Sequence, residues 1–338
     1  MNRSDVWWEI PDLPKESRVL DLGAEGPAVS FQMPGHATYL TSDIRLYRQA
    51  TSENIKARLI TDIPDVGPFD DVVYGPAQRE AKLRVFELID GAFKTLARGG
   101  RIFLAGRKNR GVESYMKRLV AVFGNVSLIG RAKRVRVYKA VKRSNTSHTV
   151  PVDPWTGFTT AFGESTELTF RARAGVFSSD GFDPGSRLLA DTIGPIAKGR
   201  ILDVGCGSGT IGIALTAGKS AADLSMVDVN ALAVACAEQN ARSNGLGERS
   251  VAVRGDLYDA FPDQQFDLIV SNPPFHEGNI VSLPLIEEAP QHLSGGGRLV
   301  LVVMRDRPYR KVLERVFGQV EVLARDGVYR ILAARDPR

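Results

Sequence analysis

Short apolar runs rich in Val, Ile and Leu recur along the second half of the chain, near residues 200–204, 222–228, 249–254, 266–271, 297–304, 319–325 and 328–334. Between the earlier runs the apolar positions fall at helical spacing, as in Ala231 to Ser243 with Leu232, Val234, Ala235 and Ala237. Near-continuous apolar runs suit strands buried on both faces, and parallel neighbours need crossover helices. The alternation therefore predicts a parallel sheet covered on both sides. Only the last two runs, joined by Asp326-Gly327, read as an antiparallel hairpin. Ahead of them, Leu168 to Arg173 alternates as a strand, GVFSSDGFDPGS is rich in turn formers, and a helix is predicted from about Pro184 to Ile193.

The plan occurs twice. Arg18-Val19-Leu20-Asp21-Leu22-Gly23 returns as Arg200-Ile201-Leu202-Asp203-Val204-Gly205. Phe69-Asp70-Asp71-Val72-Val73 returns as Phe266-Asp267-Leu268-Ile269-Val270, and Gly99 to Leu104 as Gly296 to Leu301, both pairs at one offset. The pattern predicts an α/β protein of two tandem Rossmann-like domains, each a mostly parallel seven-stranded sheet ending in an antiparallel hairpin. Lys142 to Glu164 is polar, holds Pro151 and Pro154, and predicts a linker. The expected boundaries are a first domain over 1–143, a linker over 144–165 and a second domain over 166–338.

Composition narrows the setting. At 338 residues, 43% hydrophobic and 25% charged, the chain fits about two soluble globular domains. No apolar run reaches membrane-spanning length, the N-terminus lacks a secretory pattern, and two cysteines are too few for a disulfide framework, so a cytoplasmic protein is expected. Cys206, Cys236 and the four histidines show no metal-ligand spacing, and no metal is expected. The net charge of +5 is unevenly spread: residues 94–143 hold fifteen bases and one acid, whereas 1–93 balance at −5 and 144–338 at −4. Concentrated positive charge of this kind points to a polyanion, RNA or DNA.

Candidate chemistry gathers in the second copy. Asp203-Val204-Gly205-Cys206-Gly207-Ser208-Gly209 sits where the first strand turns into a helix, glycine lets backbone approach a ligand closely, and Asp228 ends the next strand where it can accept from ribose hydroxyls. Alone, this combination fits a dinucleotide, an S-adenosyl ligand or neither, and its Gly-x-Gly-x-Gly spacing departs from the phosphate-binding fingerprint. Asp256 follows the third strand on the same edge. Ser271-Asn272-Pro273-Pro274-Phe275 then ends the fourth strand with an amide, two rigid residues that lack N–H groups, and an aromatic ring.

Together, LDVGCGSG, Asp228, Gly255-Asp256 and SNPPFHEG resemble class I S-adenosylmethionine-dependent methyltransferases of exocyclic amines. With GVFSSDGFDPGSRLL, residues 166–334 look like the ribosomal RNA guanine-N2 methyltransferases of the RsmC and RlmG type, a family built on tandem copies with a degenerate first one. The resemblance implies methyl transfer from S-adenosylmethionine to guanine N2 in ribosomal RNA, small-subunit RNA favoured over large, with S-adenosylhomocysteine as product. It implies a catalytic set of Asn272, Pro273 and Phe275, and a donor site of Phe177, Asp203, Gly205, Cys206, Gly207, Asp228, Val229, Asp256, Leu257 and Asn272. Asn272 and the Pro273 carbonyl would orient the amine, and Phe275 would stack on the base. His276 stays open between substrate contact and plain loop residue.

In the first copy Glu25 and Pro27 stand where Gly207 and Gly209 do, and Gly75 replaces Asn272, which predicts a domain that neither binds the donor nor catalyses. It would dock RNA through Arg107, Lys108, Arg110, Lys117, Arg118, Arg131, Lys133, Arg134 and Arg136. The expected partner is ribosomal RNA or a ribosomal subunit, with no membrane and a monomer favoured. Two rivals stay open: methylation of another nitrogen, such as adenine N6 or a protein glutamine, and a non-catalytic RNA-binding assembly protein.

Overall fold

Residues 19–23 and 201–204 are buried without exception, so neither run shows the polar alternation of a one-sided strand. Successive residues face opposite sides: Leu20 and Leu22 enter one core and Val19 another, and Leu202 and Val204 are separated from Ile201 in the same way. The computed structural model describes all residues except 1–12, 15, 34, 64–66, 133, 164–165, 275–278 and 305, and except the side chains of 132, 279–282 and 306–308. The chain divides into two units, Met1–Pro154 and Trp155–Arg338.

The first unit holds β1 (Val19–Gly23), β2 (Ala37–Thr41), β3 (Ala57–Leu59), β4 (Phe69–Gly75), β5 (Leu96–Arg107), β6 (Ser127–Ala132) and β7 (Val135–Val141), in the order β3-β2-β1-β4-β5-β7-β6. Its helices are α1 (Ile44–Ser52), α2 (Lys82–Thr95) and α3 (Val112–Phe123). The second unit opens with β8 (Trp155–Phe162), β9 (Thr166–Arg173) and α4 (Pro184–Ile193). There follow β10 (Gly199–Val204), α5 (Thr210–Thr216), β11 (Ala222–Asp228), α6 (Ala231–Ser243), β12 (Ser250–Arg254) and β13 (Phe266–Ser271). Then come α7 (Asn279–Glu288), β14 (Leu293–Val303), α8 (Asp306–Val316), β15 (Phe317–Asp326) and β16 (Tyr329–Pro337), with sheet order β12-β11-β10-β13-β14-β16-β15. Each sheet is parallel until its last two strands, which pair antiparallel.

Two departures from the expected elements have local causes. The stretch predicted as linker contains β8: Trp155–Phe162 pairs antiparallel with β9, and the division between units falls after Pro154, within the expected linker. Its Thr-Thr-Ala-Phe sequence carries too weak an apolar alternation to announce a strand, and the pairing with β9 supplies what periodicity did not. β14 begins at Leu293, four residues before the expected start, because Leu293 pairs with Phe266 and the glycines that follow are absorbed as a register shift.

The hairpin β8–β9 is fastened by α6. Asn240 Oδ1 accepts from Arg171 N and its Nδ2 donates to the Arg171 carbonyl, while Asn244 repeats both bonds with Thr169. Two amides one helical turn apart thus meet alternate residues of a strand edge.

Candidate active site

The four parallel strands β12, β11, β10 and β13 end on one edge, and their order reverses between β10 and β13. Open α/β sheets bind ligands at that switch point. Ser271 Oγ donates to the Val204 carbonyl at 2.7 Å, so Asn272 and Gly205 leave from two tied strand ends.

Gly205, Gly207 and Gly209 all have positive φ, of 71°, 55° and 83°, and the turn is built on conformations that side chains rarely adopt. Nothing lies within 4 Å of where a Cβ on Gly205 would stand, so the turn is open on that side; on Gly207 a Cβ would meet the Phe177 carbonyl at 3.2 Å. Phe177 itself is 53% exposed, a large ring held beside an open turn. Asp228 spans the floor: Oδ2 accepts from Gly207 N at 2.9 Å and Oδ1 from Asn230 N at 2.8 Å. Val229, Asp256 and Leu257 follow the ends of β11 and β12, Leu257 with a strained φ of 53°.

Two of the expected donor residues act on the turn rather than facing its open side. Asp203 is 1% exposed and its Oδ2 accepts from Gly212 N at 2.9 Å, bracing the start of α5. Burial, with the charge of Asp228 nearby, pushes its carboxyl up to about 7. Burial likewise pushes the Cys206 thiol well above its ordinary range, which makes it a small packing residue rather than a nucleophile.

Asn272 is held from one side. Its Nδ2 donates to Asp183 Oδ1 at 2.9 Å and to Ser186 Oγ at 2.8 Å, whereas its Oδ1 is buried with no hydrogen-bond partner among the described residues. A buried orphan acceptor is costly, and at a strand end beside an open turn it marks the place of a ligand donor. Pro273 is buried next to it. Phe275 and His276 lie outside the described residues. Asp183, Ser186, Asn240 and Ser271 had not been assigned from the sequence. Asp183 could have been found as the N-cap preceding Pro184, and Asn240 as an amide among apolar helix positions.

The corresponding turn of the first unit is closed. A Cβ on Gly23 would meet the Gly26 carbonyl at 2.1 Å, and Tyr39 Oη donates to the Gly23 carbonyl from beneath. Strand register, continued two steps past the last pair of β1 and β2 and one step past that of β10 and β11, sets Thr41 where Asp228 stands. Asp21 keeps its bracing role, accepting from Gly23, Val29 and Ser30.

Most of the expected RNA contacts converge at one corner of the first sheet. Arg107 ends β5, Lys108 N donates to the Arg134 carbonyl at 2.7 Å, and Arg131 of β6 stands opposite Arg136 of β7. Arg107, Lys108, Arg110, Arg131 and Arg134 are exposed, as is Lys117 on α3; Lys133 is outside the described residues. Opposed arginines are unfavourable for a sheet, which argues for a role beyond folding. Arg118 does not belong with them: its guanidinium, 11% exposed, grips both oxygens of buried Asp90 at 2.9 and 2.6 Å and donates to the Val150 carbonyl. Arg101 on Asp71 and Lys142 on the Leu96 carbonyl are other bases of this stretch used internally.

A sheet of this order, a glycine turn open at its carboxyl edge and an Asn-Pro-Pro strand end define a class I methyltransferase. The methyltransferase small domain family matches residues 167–333. Ribosomal RNA small subunit methyltransferase C of Klebsiella pneumoniae is 33% identical over 301 residues, covering 85% of this chain and 82% of that one. Its Citrobacter koseri counterpart is 33% identical over 309 residues, covering 87% and 84%. The solved T. thermophilus 16S rRNA N2 G1207 methyltransferase (RsmC), in complex with AdoMet and guanosine, superposes with a TM-score of 0.85 at 27% identity, covering 96% and 89%. The chain belongs to the ribosomal RNA small subunit methyltransferase C family.

Proposed function

We infer that the protein transfers a methyl group from S-adenosylmethionine to the exocyclic N2 amine of a guanine in 16S ribosomal RNA. Asn272 carries this assignment: its buried, unpartnered Oδ1 is the acceptor that an N–H donor on a flipped base requires. An aromatic amine is a weak nucleophile because its lone pair is delocalised into the ring. Oδ1 of Asn272 accepting one N–H, and the Pro273 carbonyl the other, would hold the nitrogen with its lone pair turned out of the ring plane. Gly205, Gly207, Phe177 and Asp228 would hold the donor, which supplies a methyl carbon made electrophilic by its sulfonium.

The first unit is assigned to RNA docking. Its blocked turn at Gly23 and the threonine in place of Asp228 support a copy that does not bind the donor, and its exposed arginine corner supports phosphate contacts. A ribosomal RNA substrate supports action in the cytoplasm, and two buried free cysteines suit that compartment.

The test is transfer of labelled methyl from S-adenosylmethionine to separated ribosomal RNAs and to subunits, followed by nucleoside analysis. N2-methylguanosine in small-subunit RNA is expected. Label on adenine N6 or on protein, or donor binding with no transfer to any RNA, would overturn the assignment.

A further inference from the structure

We propose that Asp183 and Ser186, at the start of α4, are positioning residues that lock Asn272 in its reactive orientation and enrich its Oδ1 as an acceptor. This rests on the role inferred above for Asn272. A side-chain amide can be placed two ways, with oxygen and nitrogen exchanged. Asp183 decides between them, since a carboxylate accepts and does not donate, so the atom 2.9 Å from its Oδ1 has to be Nδ2. The second Nδ2 proton goes to Ser186 Oγ at 2.8 Å, and the amide has no donor left to offer on its other side. Oδ1 is therefore turned away from Asp183 and Ser186, buried and without a hydrogen-bond partner among the described residues.

The anchor is itself rigid. Asp183 is the N-cap of α4, and the oxygen that meets Asn272 also accepts from Ser186 N at 2.8 Å. Pro184 follows at the first helical position with its φ preset, and Ser186 is 1% exposed. A helix cap, elsewhere a device for stability, here faces the reacting amide. The negative charge of Asp183 polarises the amide through a charge-assisted bond and makes Oδ1 a stronger acceptor. Because the guanine amine becomes positive only as its bond to the methyl carbon forms, the benefit falls on the transition state and on kcat rather than on binding.

Four variants test this on the full chain with 16S ribosomal RNA: Ser186→Ala, Asp183→Asn, Asn272→Ala and the Ser186→Ala, Asn272→Ala double. Ser186→Ala leaves the Asp183 cap in place and should lower kcat about tenfold, with KM for RNA and donor within about twofold and the melting temperature little changed. Asp183→Asn keeps a capping oxygen while discarding the charge, and should lower kcat about threefold with the same KM. In the Asn272→Ala background Ser186→Ala should cost nothing further, because it acts only through that amide. Wild-type kcat in both single variants, a loss confined to KM or melting temperature, or an equal loss in the Asn272→Ala background would each overturn the proposal. Wild-type kcat in Asn272→Ala would instead overturn the role of Asn272 itself.

Discussion

Asn240 and Arg171 exchange two hydrogen bonds: the Arg171 N–H donates to Asn240 Oδ1 at 2.8 Å, and Asn240 Nδ2 donates to the Arg171 carbonyl at 2.9 Å. The same Nδ2 donates to the Ser208 carbonyl at 2.9 Å, so one buried amide joins the β8–β9 hairpin to the glycine turn. Asn240→Leu keeps the volume and removes all three bonds. It should destabilise the second unit by about 3 kcal/mol, since buried backbone groups lose their partners, and should weaken donor affinity. Thermal melting and calorimetric titration measure both effects, and an unchanged melting temperature would sink the idea.

Asn272→Ala removes the orphan acceptor. Methyl transfer should fall by about a hundredfold or more, in the range seen when one preorganised transition-state contact is deleted, while donor affinity stays within about threefold. Single-turnover kinetics beside equilibrium donor binding separate the two; full activity would exclude Asn272 from the chemistry.

Gly207→Glu installs the residue of the closed first copy in the open turn. The position has a φ of 55°, and its Cβ would stand 3.2 Å from the Phe177 carbonyl, so the substitution strains backbone and crowds the site together. Donor affinity should fall at least about fiftyfold, equivalent to roughly 2 kcal/mol. A calorimetric titration that matches the wild type would show that the turn does not carry the donor.

Reversing Arg107, Arg131 and Arg134 to Glu should weaken RNA binding and flatten its dependence on salt, because each is an exposed base at the proposed docking corner. Arg118→Ala should act differently. It strands buried Asp90 and should cost about 3–5 kcal/mol of stability, as breaking buried pairs does. RNA titrations over a salt series, set beside melting curves, distinguish the two; loss of affinity without loss of stability in Arg118→Ala would return that residue to the RNA surface.

Asp203 gives the second unit a pH dependence. Its folded pKa of about 7 lies above the unfolded value of about 4. Between these values the folded chain keeps a proton that the unfolded chain has lost, so this group's contribution declines as pH rises from about 4 to 7 and the penalty is complete above that. Asn at 203 retains an oxygen for Gly212 and carries no charge to desolvate. The melting temperature of Asp203→Asn relative to wild type should therefore climb between pH 4.5 and 8, and a flat difference would show that Asp203 titrates normally.

Much of this was legible in the chain. Val-Leu-Asp-Leu-Gly and its repeat foretold central parallel strands, since a run that is apolar on both sides of its single Asp has to be covered on both faces. Asn-Pro-Pro and the glycine turn were legible because they demand unusual backbone. β8 escaped notice because a hairpin strand of threonines and glycine owes its shape to a partner rather than to its own pattern. Arg118 was misplaced for a related reason: exposed and ion-paired arginines are written with the same letter, and only packing sets Asp90 against one of them.

The sequence by itself determined the two sheets, their order of elements, the decay of the first glycine turn and the residues at the strand ends, because periodicity and backbone demands are local. Tertiary structure alone decided which way Asn272 faces, which carboxylates brace rather than bind, and which bases remain at the surface. Those outcomes depend on what residues 89 positions apart, such as Asp183 and Asn272, present to one another, and no local rule of the chain encodes that meeting.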